Sequence, residues 1–270
     1  MGDRNAQNDL LYLISSFLYS IIRVRGKKHA GVYFSNDLTL FGILSSSLIQ
    51  IIDASKPWKY KYVLFYWTSI ILLNPYQFDV SDDNHLETMK LLTSAAQSCY
   101  QLSDPLGEVS SHFLAILLSR RFYPVDSMCE FLIAACEEVL EELTVEEKEV
   151  KCINFLLFLN DFSVLVDCIT FVSNLAIFAN LFTFLSEMQS MSERMQIYYL
   201  KSLYRIATRS LSYTYEQCQF QPMYVILDRF SLKSVIYDLI DLNSGCTYPL
   251  ALLPTNVMRM VICGHSGLHV

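Results

Sequence analysis

The chain has 270 residues, of which 53% are hydrophobic and 17% are charged, and its formal net charge is −7. This length and apolar content are enough for a large core, and they exclude a disordered or collagen-like chain. Residues 1–61 hold eight Lys/Arg and four Asp/Glu, whereas residues 62–270 hold twelve and twenty-three. This acidic majority argues against general nucleic-acid binding and favours separate surfaces with separate partners.

The cysteine pattern and the longest apolar runs indicate in which cellular compartment the protein resides. The eight cysteines lie in apolar stretches without a Cys-x-x-Cys pair, and the N-terminus lacks a signal-peptide pattern, so we expect a reducing, cytoplasmic environment. The longest uncharged run, residues 168–186, includes Asn174 and Asn180, and a membrane-spanning helix needs about 20 apolar residues. An integral membrane protein with short apolar helices remains the alternative to a stack of buried helices.

The hydrophobic pattern along the chain is helical throughout. Apolar residues recur at helical spacing, and the alternation typical of strands never persists. Capping residues such as Asn36 or Asp37, Asp126 and Ser192 stand at several of the predicted starts. The sequence therefore predicts an all-α chain with helices at residues 8–23, 37–53, 59–73, 84–101, 106–121, 127–143, 149–159, 162–186, 192–211 and 223–242.

The predicted helices pair into a repeat. Successive pairs start at intervals of about 43 to 51 residues, close to the armadillo/HEAT range of about 40–47 residues. In helix 127–143, one face carries apolar residues and the other carries glutamates: Met128, Phe131, Leu132, Ala135 and Val139 against Glu130, Glu137, Glu138, Glu141 and Glu142. We predict an armadillo/HEAT-like α-solenoid of about five helical hairpins over residues 1–244. An irregular, truncated-looking tail follows over residues 245–270.

The residues of common catalytic and cofactor sites do not occur at the required spacing. No phosphate-binding glycine loop is present, and the segment around Ser266 has Leu268 where a nucleophile elbow needs glycine. The five histidines are far apart in sequence, which argues against a zinc site. We therefore predict a binding protein without a catalytic residue, cofactor or metal.

Basic residues form the candidate partner-binding site. They follow the first two predicted helices and comprise Arg23, Arg25, Lys27, Lys28, Lys56, Lys59 and Lys61. Such clusters steer an acidic protein towards its binding surface, or they are ordinary loop residues. The sequence leaves open whether the two groups share one edge of the stack. A glutamate-rich segment, residues 137–149, is read as a solvated helix end or as a docking patch for a basic partner.

Several motifs are shared with a known family. LYSIIRVRGKK at residues 18–28, YVLFYWTS at 62–69 and NPYQFD at 74–79 resemble the tubulin-folding cofactor D family in order and spacing. The pair SD at 103–104, AILLSRRF at 115–122 and MCEFL at 128–132 extend the resemblance, which is faint over 141–211 and absent from 215 onward. Taken alone, Trp67 indicates core packing, and we expect it and Tyr66 in the interior.

The resemblance implies a function. Members of this family are cytoplasmic scaffolds of the microtubule cytoskeleton that bind β-tubulin after the chaperonin and assemble the αβ-tubulin heterodimer. They act with tubulin-folding cofactors E and C and an Arf-like small GTPase, in an assembly that activates GTP hydrolysis, and they imply no catalytic residue, nucleic acid or membrane. The family's chain is several times longer, so the resemblance concerns its N-terminal part. Because tubulin is acidic, the basic residues are its expected contact.

Overall fold

A computed structural model describes residues 2–50, 57–74, 83–102, 105–140, 145–167 and 192–216, together with scattered positions between 170 and 185. The predicted helix 223–242, the predicted tail 245–270 and Lys56 lie outside the described residues. The chain divides into two compact units, Met1–Asp167 and Cys168–Val270. The predicted extent of the repeat domain, residues 1–244, stays a prediction.

The first unit is built from helices. In chain order they are α1 (Gly2–Arg25), α2 (Lys27–Ala30), α3 (Phe41–Gln50), α4 (Trp58–Leu72), α5 (Asp83–Tyr100), α6 (Leu106–Leu118), α7 (Val125–Leu140) and α8 (Val145–Leu165). Two short 3-10 turns, Gly31–Tyr33 and Leu38–Leu40, join α2 to α3. The described residues contain no strand, and the prediction of an all-α fold is confirmed.

The helices of this unit form two layers. Helices α1, α4, α6 and α8 pack on one another in that order, and α3, α5 and α7 pack on α4, α6 and α8 respectively. Within the hairpin of α7 and α8 the two helices are antiparallel, since Phe131 meets Phe158 with ring centroids 5.3 Å apart and Glu138 meets Lys151 at 2.6 Å. Stacked helical hairpins, predicted from the helix spacing, are therefore the architecture of this unit.

Buried aromatic residues fill the space between neighbouring helices of the first layer. Phe65 of α4 and Phe113 of α6 meet edge to face with ring centroids 5.2 Å apart, and both side chains are fully buried. Helix α6 is buried on nearly every side, and its two charged or titratable residues, Glu108 and His112, pair with Lys27 and Asp161. The predicted apolar face of α7, from Met128 to Val139, is also buried.

Two of the predicted helix starts have their capping residue confirmed. The Asp37 carboxylate accepts a hydrogen bond from the Thr39 N–H at 2.9 Å, and this bond lowers the pKa of Asp37. The Ser192 hydroxyl accepts from the Met195 N–H at 3.3 Å. Both side chains satisfy amides that the first turn of a helix leaves without an intrahelical partner.

The predicted break between residues 159 and 162 is wrong, because α8 continues from Val145 to Leu165. The two polar residues at the predicted break, Asn160 and Asp161, both have hydrogen-bond partners. The Asn160 side-chain amide donates to the Leu156 carbonyl at 2.9 Å, and Asp161 pairs with His112 of α6 at 2.7 Å. Polar residues in a helix interior are tolerated when they bond to the preceding turn or to a neighbour.

The predicted burial of Tyr66 is confirmed, whereas that of Trp67 is wrong. Tyr66 is buried on the inner face of α4, but Trp67 is only half-buried. Its ring packs edge-on against Phe34 at 5.5 Å, and its indole N–H donates to the Ser35 carbonyl at 2.8 Å. Trp67 therefore fixes the segment between α2 and α3 against α4 at the surface of the layer.

The second unit is described through one helix and a few flanking positions. Helix α9 spans Glu193–Glu216 and buries Met195, Tyr199, Leu203 and Ile206 along one face. Its Tyr199 ring packs against Phe182 with centroids 5.7 Å apart. Across the part of the chain that the structure describes, no helix combines the length and the apolar character needed to cross a membrane.

Candidate partner-binding site

The surface seam between α1 and α4 carries a cluster of aromatic rings around one lysine. The Lys59 Nζ lies 5.6 Å, 5.9 Å and 5.7 Å from the ring centroids of Tyr12, Tyr19 and Trp58. Tyr19 in turn meets Trp58 and Tyr62 edge-on, at 4.9 Å in both cases. These distances permit cation–π attraction, so the ammonium group of Lys59 is held at the seam.

Arg23 and Arg25 are exposed in the last turn of α1, where a cation is favoured by the helix dipole. Burial raises the pKa of Tyr62, Glu108 adds to this rise, and the Arg23 guanidinium opposes it. Arg23 is therefore within electrostatic range of Tyr62, whose ring Tyr19 contacts. Because four residues of helix rise by about 6 Å, Arg23 and Lys59 belong to one strip along the seam of α1 and α4.

Lys27, in the segment that follows α1, contacts both α4 and α6. Gly26 has φ +79°, a backbone conformation that favours glycine, and the short helix α2 follows it. The Tyr66 hydroxyl donates to the Lys27 carbonyl at 2.5 Å, and the Lys27 Nζ forms an ion pair with Glu108 of α6 at 2.6 Å. The charge of Lys27 is thus partly neutralised, whereas Lys28 beside it is exposed.

The other two predicted site residues do not join this strip. Lys61 is half-buried and acts on Cys99 of α5, where burial raises the pKa of the thiol and the Lys61 ammonium opposes the rise. Lys56 lies outside the described residues. Of the seven predicted basic residues, Arg23, Arg25 and Lys28 are exposed, and together with the half-buried Lys59 at the seam we call them the basic strip.

Helix α1 also has an exposed apolar face, which meets the basic strip near Val24 and Arg25, and sequence reasoning missed it. We call it the α1 outer face and define it by Leu10, Leu13, Ile14, Phe17 and Val24. Leu13, Phe17 and Val24 are 64%, 66% and 84% exposed. The spacing of these residues at three, four and seven positions is the helical signal that could have revealed a second apolar face, but periodicity alone does not say which face is buried.

Among the described residues, no group of three or more His, Cys, Asp or Glu side chains is arranged to hold a metal ion. A sequence model of the family described as tubulin-specific chaperone D-like, ARM repeat, matches residues 1–139. The chain belongs to this family. No curated protein and no solved structure matches it.

The family match covers the predicted resemblance and the basic strip. It extends to residue 139, next to the end of α7, and so includes all the described helices before α8. It also shows that the stacked hairpins of this region are armadillo repeats, as the interval between helices predicted. Membership in this family relates the chain to tubulin-specific chaperones.

Proposed function

We propose that this chain is a scaffold that binds β-tubulin and takes part in its folding after the chaperonin and in the assembly of the αβ-tubulin heterodimer. The observation that carries the proposal is the family match, because it covers the helices that form the basic strip and the α1 outer face. We place this activity in the cytoplasm, at the microtubule cytoskeleton.

The α1 outer face and the basic strip are the proposed contact surface for tubulin. The outer face supplies apolar area, and burying a large apolar side chain contributes about 1.5–3 kcal/mol. The basic strip lies at one end of this face and gives a local positive potential on a chain whose net charge is −7. Because tubulin is acidic, this local complementarity would offset the repulsion between two acidic proteins.

The other partners that the family resemblance implies are tubulin-folding cofactors E and C and an Arf-like small GTPase. We propose that this chain joins them as a binding subunit and that it activates GTP hydrolysis only as part of that assembly. The described helices offer extended surfaces rather than a cluster of reactive groups, which fits a scaffold role.

The test measures binding kinetics with purified tubulin immobilised on a sensor, at several salt concentrations. The variant Arg25→Glu with Lys28→Glu should lower the association rate most strongly at low salt, because exposed charges act mainly on encounter. Lys27 is left unchanged, since a glutamate there would face Glu108. The matched control, Lys90→Glu with Arg121→Glu, makes the same change in net charge at exposed positions of α5 and the turn after α6.

A second pair of variants tests the apolar part of the surface. Leu13→Ser with Phe17→Ser should raise the dissociation rate by about tenfold or more, since truncating a buried interface anchor commonly costs more than about 1 kcal/mol. Ile43→Ser, at a position of α3 that is 65% exposed, should leave the rate unchanged. Equal kinetics for the wild type and both surface variants, with their folding intact, would remove this surface from the proposal.

A further inference from the structure

A cavity lies between α5 and α7 in the second layer, away from the basic strip. Its volume is about 290 Å³, and it is lined by Gln97, Ser98, Tyr100, Gln101, Phe131, Ala134, Ala135 and Glu138. Small-molecule sites usually have volumes of about 300–1,000 Å³. This cavity is therefore sized for a single side chain of a partner rather than for a large ligand.

One of the residues that line the cavity has a buried hydrogen-bonding group without a partner. The hydroxyl of Tyr100 makes no hydrogen bond, and the residue is buried, with only 3% of its surface exposed. The Glu138 Oε1 accepts from Gln101 Nε2 at 2.7 Å and from Lys151 Nζ at 2.6 Å, and the Glu138 side chain remains 26% exposed. An unpartnered buried polar group is rare in proteins and requires an explanation.

The bond from Gln101 also fixes which of its atoms is free. Because Gln101 Nε2 donates to Glu138, its Oε1 is left as an acceptor. Gln97 stands one helical turn earlier on α5, and its amide can rotate to present its oxygen. The side chains of Gln97, Gln101 and Glu138 thus line the cavity together with Tyr100 and Phe131 and supply amide and carboxylate acceptors.

The surroundings of the cavity are acidic. Lys151 neutralises part of the charge of Glu138, but Glu130 and Glu137 are exposed on the same helix, one turn on either side of Ala134. A cation entering the cavity would therefore meet a negative potential and several acceptors. A carboxylate or phosphate would be repelled by the same groups.

We propose that this cavity is a binding site for an arginine side chain of a partner protein. A guanidinium group is planar, carries five N–H donors and stacks on aromatic rings, which matches acceptors placed around Tyr100 and Phe131. A lysine ammonium satisfies fewer separated acceptors and stacks less well. This inference stands on the cavity alone and does not depend on tubulin binding.

The test uses the whole chain and the peptide acetyl-Gly-Gly-Arg-Gly-Gly-amide as the probe. Two further peptides carry lysine or citrulline in place of arginine, and citrulline keeps the shape but lacks the charge. Binding is followed by NMR through the side-chain amide resonances of Gln97 and Gln101. We expect saturable shifts with the arginine peptide, weaker binding of the lysine peptide and none of the citrulline peptide.

Variants of the lining residues locate the binding. Glu138→Gln should weaken the binding of the arginine peptide by about tenfold or more, because the substitution replaces a charge-assisted hydrogen bond with a neutral one. Glu130→Gln is the matched control, which changes the same charge on the same helix outside the cavity, and should alter the affinity by less than about twofold. If Glu138→Gln loses its helical circular dichroism, Gln101→Leu carries the test, since Gln101 is exposed.

Three results with the capped peptides would overturn the proposal. The first is the absence of saturable shifts with the arginine peptide, and the second is equal binding of the citrulline peptide. The third is unchanged affinity in Gln101→Leu. Free arginine should bind more weakly than the capped peptide, because its carboxylate would face Glu130 and Glu137. Tighter binding of free arginine would mean that the ligand is the amino acid and not a partner protein.

Discussion

Replacing Gly107 with alanine tests the packing at the centre of the first layer. A Cβ at this position would lie 2.2 Å from the Leu102 carbonyl oxygen, 2.5 Å from the Asn154 Nδ2 and 3.1 Å from the Asn154 Cγ. To restore ordinary contact, backbone of the turn before α6 would have to move by about 1 Å relative to α6. The glycine is therefore required by close approach and not by an unusual dihedral angle.

The size of the expected loss of stability follows from the hydrogen bonds that hold these atoms in place. The Asn154 side-chain amide donates to the Tyr100 carbonyl at 2.7 Å and to the Leu102 carbonyl at 3.1 Å. Overpacking a core costs about 1–3 kcal/mol. Leaving one of these buried groups unpaired adds about 1–3 kcal/mol. We expect Gly107→Ala to lower the free energy of unfolding by about 2–5 kcal/mol, a large share of a typical domain's stability.

Chemical denaturation followed by far-UV circular dichroism measures this loss. The matched control is Gly42→Ala in α3, because a Cβ there meets no atom within 4 Å. Alanine is the better helix former by about 0.5–1 kcal/mol, so this control should leave stability unchanged or raise it. A Gly107→Ala chain as stable as the wild type would refute the close packing of the α5–α6 turn against α8.

Three further predictions concern single side chains. Gly26→Ala should lower the free energy of unfolding by about 1–3 kcal/mol, because φ is +79° and ψ is 148° at this position, even though a Cβ there meets no atom within 4 Å. An unchanged melting temperature would contradict this. Trp67→Ala should cost less than Phe113→Ala, for which full burial predicts about 3–5 kcal/mol, and equal losses in denaturant titrations would contradict the half-buried position of Trp67. Asp161→Asn should cost no more than about 1 kcal/mol, because its pair with His112 is partly exposed; a larger loss in the same titrations would show that α8 depends on this pair for its continuity.

The helices could be predicted from the sequence because local patterns specify them. The apolar face of α7 and the caps at Asp37 and Ser192 depend on residues within one or two turns of each other. The same local rules placed a helix break next to Asn160 and Asp161. They failed there because the partner of Asp161 is His112, 49 residues earlier in the chain.

The candidate site was only partly predictable for the same reason. The basic residues are visible in the sequence, but the pairing of Lys27 with Glu108 joins residues 81 positions apart. The effect of Lys61 on the pKa of the Cys99 thiol also depends on how α4 packs against its neighbours. The close approach of Gly107 to Asn154 and the cavity beside Tyr100 arise from packing between helices, and no short motif marks them.

Hydroxyl-radical footprinting with and without saturating tubulin tests the proposed contact surface most directly. Leu13, Phe17 and Val24 are highly exposed in the chain alone and should react with the radical, whereas tubulin should protect all three side chains. Ile43, equally exposed on α3, serves as the internal reference and should react at the same rate in both samples. Unchanged oxidation of Phe17 and Val24 in a sample that contains the complex would contradict tubulin binding through the α1 outer face.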